Sequence, residues 1–306
     1  MLAYIVRRLL AGIPVLIGVS LITFILMNVV PGDPVTAAFE KRADLETIAR
    51  IRHEMGLDRP LVIQYVEFVG KAAVGNLGNS FRSRLPVADS IAGALPMTGR
   101  LAASAMSVAL LIGVPFGVAA ALRKNSWVDY MSAVTTLSFI SAPVFWIAII
   151  AQLIFGLTLD LFPMSGYEGP IYLVLPATVL GSRYAASIAR YTRASMLEVL
   201  NQDYVRTARA KGVAERLVIW KHALKNALVP LLTVIGLEFG GLLTGSILTE
   251  SVFGLPGIGR LTIQAIQYRD FPMIEGTVLF TAVVFVLANM LVDISYSLVD
   301  PRIRMA

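Results

Sequence analysis

The chain has 306 residues, of which 57% are hydrophobic and only 15% are charged, and its mean hydropathy is +0.74. Soluble domains carry about 25% charged residues, and even large ones leave roughly a quarter of the unfolded chain's surface exposed. A chain this apolar cannot cover its hydrophobic surface in water. The composition therefore excludes a soluble enzyme and predicts an all-α polytopic membrane protein.

Cysteine and histidine usage excludes several kinds of site. The sequence contains no cysteine, which rules out disulfides, thiolate metal sites and cysteine nucleophiles. Its two histidines, His53 and His222, lie far apart and match no zinc spacing, so we predict no metal site. We interpret the net charge of +6 as basic residues that flank membrane spans, and we expect no nucleic-acid partner.

Six apolar segments are long enough to cross a membrane, which takes about 20 mostly apolar residues. In chain order they cover 9–32, 101–122, 130–159, 171–189, 226–249 and 273–298. The fourth contains Arg183 and the fifth contains Glu238. We therefore divide the chain into an N-terminal tail with the first transmembrane helix (1–30), an extracytoplasmic loop (31–96) and a five-helix core (97–306).

The distribution of lysine and arginine predicts the orientation. Segment 191–226 carries seven basic residues against three acidic ones, whereas segment 160–170 carries no basic residue. Segment 31–96 is a long loop, to which this rule does not apply. Both termini and segment 191–226 are therefore expected in the cytoplasm.

Segment 191–226 is long for a connection between packed helices. Residues 195–211 lack Pro and Gly and predict one helix, which Gly212 ends. After the glycine, an apolar stripe recurs at spacings of three and four residues, at Leu217, Trp220, Leu224 and Leu228. Such a pair of helices is either a docking element for a cytoplasmic partner or a basic helix that lies on anionic headgroups.

These residues carry a resemblance to a known family. The stretch Asp-Tyr-Val-Arg-Thr-Ala-Arg-Ala-Lys-Gly at 203–212, followed by His-Ala-Leu-Lys-Asn-Ala at 222–227 and by Pro230, resembles the EAA loop of ABC importer permeases. It is most similar to the dipeptide, oligopeptide, nickel and glutathione branch. The family's Glu-Ala-Ala triplet falls on 206–208, where the glutamate is absent, a departure common in this branch. Three further stretches fit the branch, at 31–34, 249–260 and 300–302, so the resemblance runs essentially from end to end.

The resemblance implies the type I ABC importer permease fold in a bacterial cytoplasmic (inner) membrane. The chain would form half of the translocation path for dipeptides, oligopeptides or glutathione. Its partners would be membrane lipid, a second related permease, two ATPase subunits and an extracytoplasmic substrate-binding protein. ATP and Mg would be bound by the ATPases, and this chain would bind no cofactor and have no enzyme activity. Consistent with this, its only Gly-Lys pair, Gly70-Lys71, is followed by alanine and matches no Walker A motif.

In this family the EAA loop forms a coupling helix that sits in a cleft of the ATPase subunit. Carried over by position, the resemblance implies an ATPase-coupling loop made of Asp203, Tyr204, Arg206, Thr207, Ala208, Lys211, Gly212, Val213, Ala214, Glu215 and Arg216.

Polar residues inside the spans are expensive and therefore candidates for the substrate path. They are Glu238, Arg183, Asn289 and Gln152. Glu238 either meets the amino end of a peptide or is a structural group, protonated or paired with Arg183. Arg183 either lines the path or extends to the nearby cytoplasmic headgroups. Asn289 and Gln152 also fit hydrogen bonding between helices.

Residues 254–259 cannot continue a helix, because they combine three glycines with a proline. With their apolar neighbours they form either a re-entrant loop that closes the extracytoplasmic mouth or a plain surface turn. The gate residues would be Phe253, Leu255, Pro256 and Gly257.

Two alternatives to the peptide importer stay open. An ion-coupled secondary transporter predicts inverted repeats and a coupling-ion site at the membrane midplane. No such repeat is visible in the sequence, and Glu238 is its only strong midplane acid. The other alternative is a nickel-chelate permease of the same ABC branch.

Overall fold

The computed structural model describes residues 2–29, 46, 50, 52–53, 56 and 58–299. The stretches at 31–34 and 300–302 that contribute to the family resemblance lie outside the described residues. The described ranges are helical, apart from short turns and one isolated bridge between Asn79 and Pro86. The predicted all-α class is therefore confirmed.

The helices in chain order are α1 (Leu2–Val29), α2 (Leu61–Ala73), α3 (Val87–Leu122), α4 (Trp127–Ser141), α5 (Val144–Ala151), α6 (Ile171–Leu200), α7 (Asp203–Ala210), α8 (Glu215–Leu217), α9 (Leu224–Gly245), α10 (Ile247–Val252), α11 (Ile258–Gln267) and α12 (Phe271–Val299). Two π-helical stretches occur, Gln152–Thr158 after α5 and Val218–Ala223 between α8 and α9. In the described part, 5 helical stretches are long and apolar enough to cross a membrane, or 6 if α4 with α5 is one span.

The span predicted over 130–159 is a broken helix. α4 and the helix that follows it bend by 99° at their junction. The junction is Ala142-Pro143, where Ala142 has an extended backbone (φ −75, ψ 135). Proline has no N–H to donate to the preceding turn, and it disfavours the helical conformation in the residue before it.

By its internal contacts the chain divides into two units, residues 1–98 with 256–287 and residues 99–255 with 288–306. The core of the first unit is built on the start of α3, where Val87, Ile91 and Ala94 are buried at helical spacing. They pack with Ile258 and Ala265 of α11 and with Met273 and Ile274 of α12. α3 thus begins 14 residues before the span predicted at 101, because Arg100 ends an apolar run but does not end a helix.

The second unit depends on close packing between α3 and α6. A Cβ added at Gly113 would lie 2.6 Å from the carbonyl oxygen of Ala185, and one at Gly117 would lie 2.5 Å from that of Ala189. In the other direction, a Cβ at Gly181 would lie 2.6 Å from a carbonyl oxygen of α3. No real Cβ approaches a backbone oxygen that closely, so these helices can meet only through glycine. Small residues that let helix backbones approach are typical of helix packing in membranes.

Candidate coupling loop and cavity

The loop after α6 begins with a turn that the sequence did not reveal. The single helix predicted over 195–211 is wrong, because α6 ends at Leu200 and α7 starts at Asp203. The side-chain amide of Asn201 donates to the carbonyl of Leu197 at 2.8 Å, and Gln202 has an extended backbone (φ −74, ψ 149). Asparagine side chains that bond to nearby backbone compete with the helix in this way.

Gly212 ends α7, as predicted. It has φ +74, and two backbone bonds close around it: Gly212 N–H donates to the carbonyl of Arg209 at 2.9 Å, and Val213 N–H donates to that of Ala208 at 3.2 Å. This is the Schellman arrangement, in which the residue after the helix adopts the left-handed conformation that glycine adopts without strain. The turn at Gly212 is therefore a defined cap.

An ion pair closes the same turn from outside. The guanidinium of Arg209 donates to Glu215 through Nη2 at 2.7 Å to Oε1 and through Nε at 3.1 Å to Oε2. These hydrogen bonds raise the pKa of Arg209 above its already high ordinary value, so the side chain stays charged. The pair is exposed to solvent and connects α7 to α8 across Gly212, in addition to the backbone cap. Arg209 was absent from the predicted coupling residues, since a spacing of six residues across a turn matches no helical pattern.

The apolar stripe predicted after Gly212 is right at Leu224, which is buried, and at Leu228, which packs against the same cluster, but wrong at Leu217 and Trp220. Leu217 and Trp220 are 52% and 50% exposed, whereas the buried side chains here include Val218, Ala223 and Ala227. The cause is the π-helical stretch Val218–Ala223, whose wider turn places residues five apart on one face. Spacings of three and four residues therefore do not identify the buried side chains within this stretch.

Most of the predicted coupling residues lie at the surface of the loop. The exposed ones are Asp203, Tyr204, Arg206, Thr207, Lys211, Gly212, Ala214, Glu215 and Arg216, and the half-buried ones are Ala208 and Val213. Val205 is fully buried and anchors α7. Below the loop, a cluster of buried side chains that includes Val118, Met196 and Leu224 joins the ends of α3, α6 and the start of α9. The loop therefore combines a charged outer surface with a packed base.

A partly buried ion pair contacts the helix that leads into this loop. Arg193 on α6 donates to Asp129 on α4 through Nε at 2.5 Å and through Nη2 at 2.7 Å. Asp129 is 7% exposed and also accepts the backbone N–H of Asn125 at 3.0 Å. Paired, two-point contacts of this kind are among the stronger polar interactions in proteins. Sequence reasoning missed this pair because its members lie 64 residues apart.

The four polar residues proposed for the substrate path have different surroundings. Glu238 on α9 accepts a hydrogen bond from Ser187 Oγ on α6 at 2.8 Å, and among the described side chains it forms no ion pair with Arg183. Gln152 donates to the backbone carbonyls of Met164 at 2.6 Å and Val252 at 3.1 Å. Asn289 is half-buried on α12. Arg183 is exposed.

Arg183 lines a cavity of about 390 Å³ in the second unit. The cavity wall contains Pro143, Val144 and Phe145 from the bend between α4 and α5, Leu180, Arg183 and Tyr184 from α6, and Leu248 and Thr249 from α10. Its walls are therefore mostly apolar, with one guanidinium and two hydroxyl-bearing side chains. Small-molecule sites in proteins have this composition.

The segment proposed as a gate is a capped turn between two helices. Gly254 has φ +64 and closes α10, with Leu255 N–H donating to the carbonyl of Glu250 at 2.9 Å. Phe253 and Leu255 are 1% and 0% exposed, so a plain surface turn does not describe this segment. Pro256 is exposed and Gly257 is buried. The helix before this segment ends at Val252, as predicted, and the next helix, α11, starts at Ile258.

The spans, the loop after α6 and the cavity define a multi-pass membrane protein of the transporter class. Residues 113–305 match the family described as the binding-protein-dependent transport system inner membrane component, and residues 1–102 match its N-terminal part. The chain belongs to this family of ABC importer permeases.

Individual relatives agree with this assignment. The chain is 42% identical over 332 residues to the dipeptide transport system permease protein DppB of Alkalihalophilus pseudofirmus, covering 99% of this chain and 100% of that one. It is 41% identical over 304 residues to the glutathione transport system permease protein GsiC of Escherichia coli O6:H1, covering 99% of each. Among solved structures, a chain of the MetNI methionine ABC transporter in inward-facing conformations matches with a TM-score of 0.56 at 20% identity, over 69% of this chain and 96% of that chain. The likeness to the MetNI chain shows that the two chains share a fold.

Proposed function

We propose that this chain is the permease subunit of an ATP-driven importer of peptides, including dipeptides and glutathione. The substrate assignment is supported by the relatives named for dipeptide and glutathione transport, which match almost the whole chain. The proposal places the chain in a bacterial cytoplasmic membrane with both termini in the cytoplasm. A substrate-binding protein delivers the peptide, and a second, related permease completes the path.

The observation that carries this proposal is the geometry of the coupling loop, which we define as residues 203–216. An energy-coupling element must transmit a displacement, so it must be stiff and must have a surface that a partner can hold. The cap at Gly212 and the pair between Arg209 and Glu215 make the loop stiff. The exposed basic side chains and Tyr204 offer the surface, and Leu217 and Trp220 extend it just beyond the loop.

In this proposal two partner ATPases bind ATP and Mg, and each receives the coupling loop of one permease in a surface cleft. Closure of the ATPases moves α7, and the ion pair between Asp129 and Arg193 carries the displacement from α6 into α4. This chain supplies no chemistry to ATP hydrolysis. Its own work is to open and close the path for the peptide.

The residues proposed for the path then have separate roles. Arg183 faces the cavity and contacts substrate. Glu238 and Gln152 hold neighbouring elements through the hydrogen bonds they make. Asn289 contributes to the packing of α12. Phe253, Leu255, Pro256 and Gly257 form the extracytoplasmic gate, whose closed form is stabilised by the burial of its two large apolar side chains.

Single-cysteine cross-linking tests the partner assignment, and the chain suits it because it contains no native cysteine. Ala214→Cys introduces a thiol at an exposed position of the coupling loop, and Val74→Cys introduces one at the 81% exposed end of α2 in the extracytoplasmic segment. In native membranes, a short thiol-to-amine reagent should join the Ala214→Cys chain to an ATPase subunit, which mass spectrometry identifies. The Val74→Cys chain should give no such product and should react with a membrane-impermeant thiol reagent added from outside.

The opposite labelling pattern would refute the proposed orientation. Failure of the Ala214→Cys chain to capture an ATPase, in membranes where the complex is intact, would refute the role of the coupling loop.

A further inference from the structure

The cavity in the second unit has a built-in charge that the fold itself does not use. Its walls come from the bend at Pro143, from α6 and from α10, and five of its eight lining residues are apolar. Arg183 is the charged group among the lining residues, and its neighbours there, Tyr184 and Thr249, are neutral. Arg183 is exposed and forms no ion pair among the described side chains, so an anionic ligand that enters the cavity can pair with its guanidinium.

Glu238, on α9, contacts α6 through a residue other than Arg183. Glu238 approaches α6 one turn beyond Arg183 and accepts the hydroxyl of Ser187 at 2.8 Å. Tyr184 reaches the same helix, since a Cβ added at Gly241 would lie 3.9 Å from its hydroxyl oxygen. Ser187 and Tyr184 thus connect α6 with α9, while Arg183 is left to the cavity.

The position of Arg183 is not explained by a side chain that extends to the cytoplasmic lipid headgroups. The apolar part of α6 was predicted to end at Ala189, but the helix continues to Leu200 and places Arg190 and Arg193 beyond that point. Arg190 is exposed there, and Arg183 lies about 10 Å deeper along the helix than Arg190. Its position within the cavity wall is therefore better explained by a ligand than by the membrane surface.

We infer that Arg183 binds the terminal carboxylate of the transported peptide in this cavity. The guanidinium presents a planar fork of donors that matches a carboxylate at two points, and the apolar walls accept the neighbouring side chain. The cavity volume of about 390 Å³ falls at the small end of ligand sites, which suits a substrate of dipeptide size. This inference rests on the proposed function, whose substrate it specifies.

The test compares two substrates in the complete transporter, purified with its ATPases and second permease, reconstituted in liposomes and supplied with its binding protein. The probes are a labelled dipeptide with a free carboxylate and the same dipeptide as its C-terminal amide. The quantity measured is the ratio of the two ATP-dependent uptake rates. Any preference of the binding protein is the same for every permease variant, so it cancels when ratios are compared.

Arg183→Gln should lower the acid-to-amide ratio by roughly 10- to 100-fold, the range for one hydrogen bond to a charged group. The ratio for Arg183→Lys should lie between those of the wild type and Arg183→Gln, because lysine keeps the charge but lacks the planar pair of donors of the guanidinium. Arg190→Gln is the matched control, since it removes an exposed arginine two turns further along α6, and it should leave the ratio unchanged.

An unchanged ratio in Arg183→Gln would overturn the inference while leaving peptide import intact. If Arg183→Gln imports too slowly to measure, the Arg183→Lys variant is used instead, and an unchanged acid-to-amide ratio in that variant would overturn the inference. A change that follows the content of anionic lipid and not the peptide terminus would assign Arg183 to a lipid phosphate and would also overturn the inference. Failure of the wild-type complex to import either peptide would instead refute the proposed function.

Discussion

Replacement of Gly212 isolates the contribution of the capped turn to coupling. The residue has φ +74, and a Cβ added there would meet nothing within 4 Å. Alanine therefore costs only the strain of the left-handed conformation, about 1–2 kcal/mol, with no steric clash added. A change of that size shifts a local equilibrium by about 5- to 30-fold. Valine should cost more because it is branched at Cβ, and asparagine should cost less because it tolerates this conformation.

The assay is the number of peptides imported per ATP hydrolysed by the reconstituted complex. We expect this number to fall in the order Gly212→Asn, Gly212→Ala, Gly212→Val, with a loss of up to about 5- to 30-fold for alanine. Assembly in the membrane should remain normal, since the turn is exposed and makes no core contact.

Gly75→Ala is the matched control. Gly75 also has a left-handed backbone (φ +81) with nothing within 4 Å, but it lies in the segment that we propose to be extracytoplasmic. The same strain there should leave coupling unchanged. The reasoning is refuted if Gly212→Val couples like the wild type, or if Gly75→Ala loses as much coupling as Gly212→Ala.

Three further predictions concern the interior. Gly113→Ala should destabilise the detergent-purified complex by about 1–3 kcal/mol in thermal unfolding, because its Cβ would meet a backbone oxygen at 2.6 Å. The control is Gly99→Ala on the same helix, whose Cβ meets nothing within 4 Å and which should be neutral or stabilising. Asp129→Asn and Arg193→Gln should show a coupling energy of about 1–3 kcal/mol in a double-mutant cycle; additive losses would contradict the pairing. Glu238→Gln keeps an acceptor for its hydroxyl partner, so peptide uptake per complex should stay normal; a selective loss for cationic peptides would instead place this carboxylate on the path.

Local chemistry explains what could be predicted from the sequence. The spans follow from length and apolar composition, and the end of α7 at Gly212 follows from the conformational freedom that only glycine has there. The bend at Pro143 also had a local signal, since proline interrupts the hydrogen bonds of a helix. The angle of 99° had no local signal in the sequence, because packing of the flanking helices sets it.

The remaining features depend on residues that are distant in the chain or on a change of helical period. The π-helical stretch before Leu224 buries Val218 in place of Leu217, because an amphipathic pattern assumes a constant period that this stretch does not have. The cavity around Arg183 is assembled from three separate stretches, 143–145, 180–184 and 248–249, so no motif describes it. The pair of Asp129 and Arg193 joins two helices whose contact the sequence does not show.

ATP-dependent uptake tests the central claim most directly. The complex is purified through a tag on this chain, reconstituted with its binding protein, and given a labelled dipeptide after ionophores have abolished all ion gradients. We predict accumulation that requires ATP and Mg inside the compartment holding the ATPases and that is insensitive to the ionophores. Uptake that proceeds without ATP and stops when the ion gradient is removed would contradict the account and would identify an ion-coupled transporter.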